Sequence, residues 1–171
     1  MIEKSGCSII EKQSRNMKRL FLLLLVFAAL NQGAFAKAYF QTGEEMIRKA
    51  TVIAIVTIAG VQASGVRGKT WTYRQVGDAT VESVLKGDIP GRIKLYGMED
   101  FICAQCPLSE GRFLAFLKKD GDLWTGSNWD LSLRPISGTT VAWYADDHTR
   151  HEMKPLPLAD VLGRIKTATS P

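Results

Sequence analysis

The chain has no apolar run of membrane-spanning length. The longest, Leu20 to Leu30, holds 11 residues, against the ~20 that a helix needs to cross a bilayer. It also has no internal repeat, no low-complexity tract and no linker. With 46% hydrophobic and 23% charged residues among 171, and 15 glycines and six prolines, it is not collagen-like, coiled-coil or disordered. Its length suits one domain. No paired acids and no Ser-His-Asp set stand out. Gly65-Val66-Arg67-Gly68-Lys69-Thr70 ends in G-K-T. A phosphate loop would need glycine where Ala63 stands, and a helix where Trp71-Thr72-Tyr73 reads as strand. Residues 63–68 are therefore read as a plain loop.

What is present begins with an export signal. Met17-Lys18-Arg19 supplies a positive start, the 11-residue run has the length of a signal core, and Ala34-Phe35-Ala36 offers small residues at −3 and −1. Cleavage is expected before Lys37, with Met17 rather than Met1 as the start. Cys7 precedes the apolar run and so is not a lipoprotein cysteine. The expected organisation is an upstream segment with signal over 1–36 and one domain over 37–171. The product is placed in a bacterial periplasm or outside the cell, with no stable membrane span left after cleavage. The formal charge of +5 falls to +2 for 37–171, with 17 basic and 15 acidic groups. That balance gives no electrostatic case for nucleic acid.

Along the expected mature chain, Thr42-Gly43-Glu44-Glu45 has the form of a capping box, so a short helix is expected over 43–50. Residues 51–59 are dense in β-branched side chains and read as a strand buried on both faces. Strand character returns over 70–85, broken at Gly77-Asp78 and with a bulge near Val81 to Leu85. Further strands are expected over 92–96, 112–117, 123–125 and 141–145, with a hairpin turn at Lys119-Asp120-Gly121-Asp122. Leu158, Val161, Leu162 and Ile165 mark one face of a closing helix, with Pro155 and Pro157 stiffening its entry. Five to seven strands with a helix at each end suit a small closed or partly closed β-barrel.

The order of elements, with Val84-Leu85-Lys86-Gly87 closing a strand and Gly111-Arg112-Phe113-Leu114-Ala115-Phe116-Leu117 opening another after a cysteine-bearing loop, resembles secreted bacterial netrin-like proteins. These are related in fold to tissue inhibitors of metalloproteinases. The resemblance covers about residues 43–165 and implies a mainly β, OB-like barrel with flanking helices. Those inhibitors chelate their target's zinc through an N-terminal cysteine. Lys37 takes that place here, so the mechanism does not carry over.

Cys103-Ala104-Gln105-Cys106 admits three readings. As a disulfide it would brace the 97–111 connection, the first reading for an even cysteine pair in an oxidising compartment. As a redox pair, Cys103 would be the nucleophile and Cys106 the resolving thiol; that chemistry wants a helix after the first cysteine. As half a zinc site it would join His148 and His151, whose H-x-x-H spacing is shorter than structural zinc sites prefer. The histidines read first as part of a solvated loop beside Asp146, Asp147 and Glu152. Trp71, Trp124, Trp129 and Trp143 are expected mainly in the core. Trp129, among turn-forming neighbours, is the best candidate for exposure, and Trp124 and Trp129 are the candidate binding contacts. Together these features lead us to expect an exported, non-catalytic module without a cofactor, binding a protein, peptide or glycan. An exported thiol-disulfide oxidoreductase and a metal-binding protein are the alternatives.

Overall fold

A computed structural model of the chain describes residues 40–101, 104–145 and 153–170. All lie within one compact unit, Tyr39–Pro171. The expectations for the export signal, for Cys7 and Cys103, and for Asp146, Asp147, His148, His151 and Glu152 lie outside the described residues.

The chain is mainly β. Helix α1 (Gly43–Lys49) leads into β1 (Val52–Arg67), β2 (Thr72–Lys86), β3 (Arg92–Glu99), β4 (Gly111–Asp120) and β5 (Leu123–Gly126). A 3-10 turn, η1 (Trp129–Leu131), precedes β6 (Leu133–Ser137), β7 (Thr140–Tyr144), β8 (Met153–Pro157) and helix α2 (Leu158–Thr169). The strands form one eight-stranded sheet in the order β1-β2-β3-β5-β4-β6-β7-β8, and β1 also pairs with β4. That extra pairing closes the first five strands into an OB-like ring. All ladders are antiparallel except β3–β5, which is parallel through Leu95 opposite Trp124 and Tyr96 opposite Thr125.

Closure depends on the double burial of β1 and β4. Val52, Ala54, Val56 and Ile58 point into the barrel with Phe113, Ala115 and Leu117. The alternate residues Ile53, Ile55, Leu114 and Phe116 face a second core built from Met46 and Ile47 of α1, Val161 and Ile165 of α2, and Trp143 and Tyr144 of β7. Period-two side chains with both faces apolar give two cores from one pair of strands. The capping box is present: Thr42 Oγ1 accepts from the Glu45 N–H, and the Glu45 carboxylate accepts from the Thr42 N–H.

Several expectations need correction. The loop over 63–68 is strand as far as Arg67, because Gln62, Ala63, Val66 and Arg67 pair with Val76, Gln75, Tyr73 and Thr72. Its polar sequence reflects a ribbon standing clear of the core. Strand β2 is not broken at Gly77-Asp78, which pair with Leu95 and Lys94. The bulge is real: register shifts leave Leu85 and Glu82 as extra residues on β2. Strands β6 and β8 were not expected. Pro155 and Pro157 lie within β8, an edge strand where a missing N–H is tolerated.

Candidate binding site at the ends of β2, β3 and β5

Tyr73 near the start of β2 is the direct partner of Glu99 at the end of β3. Glu99 continues the inward row of Ile93, Leu95 and Gly97, so the period of the strand carries a carboxylate to a position only 3% exposed. Its Oε2 accepts the Cys106 N–H at 2.7 Å, and the Met98 N–H returns a bond to the Cys106 carbonyl at 2.8 Å. The Gln75 side chain accepts the Leu108 N–H at 2.8 Å. These bonds lay the 104–108 segment across β3. The approach is close enough that a Cβ on Gly97 would overlap the Cys106 carbonyl oxygen, and one on Gly126 would press on Ser132 and the Cys106 sulfur. Glycine is required at both positions by space.

The turn after β5 is held as firmly. The Ser127 N–H donates to the Phe116 carbonyl at 2.9 Å, and the Asn128 N–H to Ser132 Oγ at 2.8 Å. Within this frame Trp129 takes a left-handed backbone, φ +43, which bulky residues rarely adopt. The residue is 38% exposed. It stacks on Phe101, with centroids 6.1 Å apart and planes 19° apart, and Phe101 in turn lies 5.1 Å from Trp71. Three aromatic rings thus form a row.

Trp71 is fixed through its backbone. Asp120 accepts the Thr70 N–H at 2.8 Å, the Trp71 N–H at 3.2 Å and the Tyr73 hydroxyl at 2.9 Å. Burial opposes the charge on Asp120, but the bonds from Tyr73, Thr70 and Trp71 outweigh it and hold the carboxyl below its ordinary range. Burial, and then the bond to Asp120, pushes the Tyr73 phenol far up. Next to Trp71, Asp100 accepts the Thr72 N–H at 3.0 Å. Trp71, Tyr73, Glu99, Lys118, Asn128 and Trp129 line a cavity of about 90 Å³.

Of the two expected aromatic contacts, the structure brings only Trp129 to this place. Trp124 packs against the barrel core, with Lys119 Nζ 5.1 Å from its ring centre. Cys106 has a free thiol, buried, and burial followed by the nearby Glu99 charge pushes its pKa far up. A reactive thiol needs the opposite environment. Cys103, its expected disulfide partner, lies outside the described residues. The described residues contain no cluster of three metal-ligating side chains, and no described helix is long and apolar enough to cross a membrane. Sequence reading missed Glu99, Tyr73 and Phe101 as site residues and left Trp71 with the core indoles. Extending the alternation of 92–96 by three residues would have turned Glu99 inward. No family model, curated protein or solved structure matches this chain.

Proposed function

We propose that this chain is an exported, non-catalytic binding module that holds a protein, peptide or glycan partner against the Trp71–Phe101–Trp129 row. The observation that carries the reading is Trp129: a large apolar ring, exposed, on a left-handed backbone that the surrounding hydrogen bonds sustain. Strained, solvent-facing aromatics of this kind are characteristic of contact sites.

The test is capture of a partner from periplasmic extract. Trp129→Ala, which removes the exposed ring and relieves no core contact, is expected to leave the thermal melt within a few degrees of wild type and to reduce capture at least tenfold. Trp124→Phe is expected to leave capture unchanged. Equal capture by wild type and Trp129→Ala would remove the reading.

A further inference from the structure

The cavity behind the aromatic row combines rings with a carboxylate. Trp71, Tyr73 and Trp129 line it with aromatic rings, and Glu99 with a carboxyl group. Among the described residues no side-chain polar atom is both sealed from solvent and without a hydrogen bond. Glu99 Oε2 is taken by the Cys106 N–H, whereas Oε1 has no described partner. Glu99 is itself one of the residues that line the cavity. Glu99 forms no ion pair with any described cation, including Lys118 at the rim of the same cavity, and Asp120 stands behind Tyr73 as a second negative group.

Volume narrows the occupant. Whole-ligand pockets run to about 300–1,000 Å³, so a cavity of about 90 Å³ takes one functional group rather than a sugar ring or a folded loop. Aromatic rings beside a carboxyl group suit an alkylammonium, whose methylenes pack on the rings while its charge meets the carboxyl oxygen. We propose that this cavity is a subsite for the alkylammonium group of a lysine side chain on a peptide or protein partner, with Glu99 Oε1 accepting from the ammonium and Trp71, Tyr73 and Trp129 walling its methylenes. The inference rests on the aromatic row being the contact surface, and it narrows the partner to one that presents lysine.

The test titrates the purified protein with Nα-acetyl-lysine N-methylamide and, separately, with the uncharged norleucine counterpart, following the indole N–H resonances. The expected result is a saturable shift of the Trp71 and Trp129 signals with the lysine probe, at least tenfold weaker binding of norleucine, and a still Trp124 signal. Glu99→Gln keeps an oxygen for the Cys106 N–H and so preserves the segment; it is expected to weaken the lysine probe at least tenfold. Lys118→Ala, which removes a like charge from the rim, is expected to strengthen it. Equal shifts from both probes, or full affinity in a Glu99→Gln protein with native indole signals, would overturn the inference. Loss of partner capture in Trp129→Ala beside either of those results would leave the aromatic surface standing and reject only the lysine.

Discussion

Asp120 receives three hydrogen bonds from a single turn and its neighbouring strand: two backbone N–H groups and one phenol. Truncating it leaves one buried and two part-buried donors without their acceptor. Asp120→Ala is therefore expected to cost about 2–3 kcal/mol, read as a lower denaturation midpoint. Because the folded carboxyl lies below its unfolded value, its contribution is complete above about pH 4 and is lost as pH falls through the folded value. The stability gap between wild type and Asp120→Ala should accordingly narrow in acid; a gap that widened there would contradict the assignment. Cys106 makes a second residue-scale prediction. In a chain carrying Cys7→Ser and Cys103→Ser, its thiol should resist a disulfide reagent in the native state and react promptly in denaturant. At this scale the sequence was least legible. Trp129 could be picked out from its turn-forming neighbours, but Glu99 and Asp120 look like ordinary solvated acids until the strand register turns one inward and the hairpin tip closes over the other.

Elements were far easier to read. The double burial of β1 followed from its β-branched run, the α1 cap from Thr42 and Glu45, and the α2 face from Leu158, Val161, Leu162 and Ile165, because each depends on local periodicity. The failures have one physical cause. The outer part of β1, together with β6 and β8, is held by partner strands rather than by its own pattern of side chains, and β8 carries prolines that speak against a strand anywhere but an edge. Removing the cap, Thr42→Ala, should cost about 1 kcal/mol and loosen α1 from the second core, with loss of helical signal on mild heating. Gly97→Ala should cost more, because a backbone carbonyl cannot step aside as a flexible side chain can. Its melt should fall below that of Thr42→Ala; a neutral Gly97→Ala would mean that the 104–108 segment does not lie against β3.

For the molecule as a whole, two cores share the same two strands. Phe113 faces the barrel and Phe116 the helices, yet they sit three residues apart on β4. Neither layer can be undone without exposing the other, so truncating either ring, Phe113→Ala or Phe116→Ala, should cost about 3–5 kcal/mol. Each variant should still melt in one transition by far-ultraviolet dichroism and by tryptophan fluorescence; separate midpoints would show two independent layers. The ring also sets an order of events in time. Val52 pairs with Leu117, 65 residues further along the chain, with β2 and β3 between them in sequence. Distant pairings of this kind fold on the order of milliseconds to seconds rather than microseconds. A chain threaded through a membrane amino end first would thus emerge with β1 waiting for β4, still pliable during passage, and would lock only once its second half had arrived.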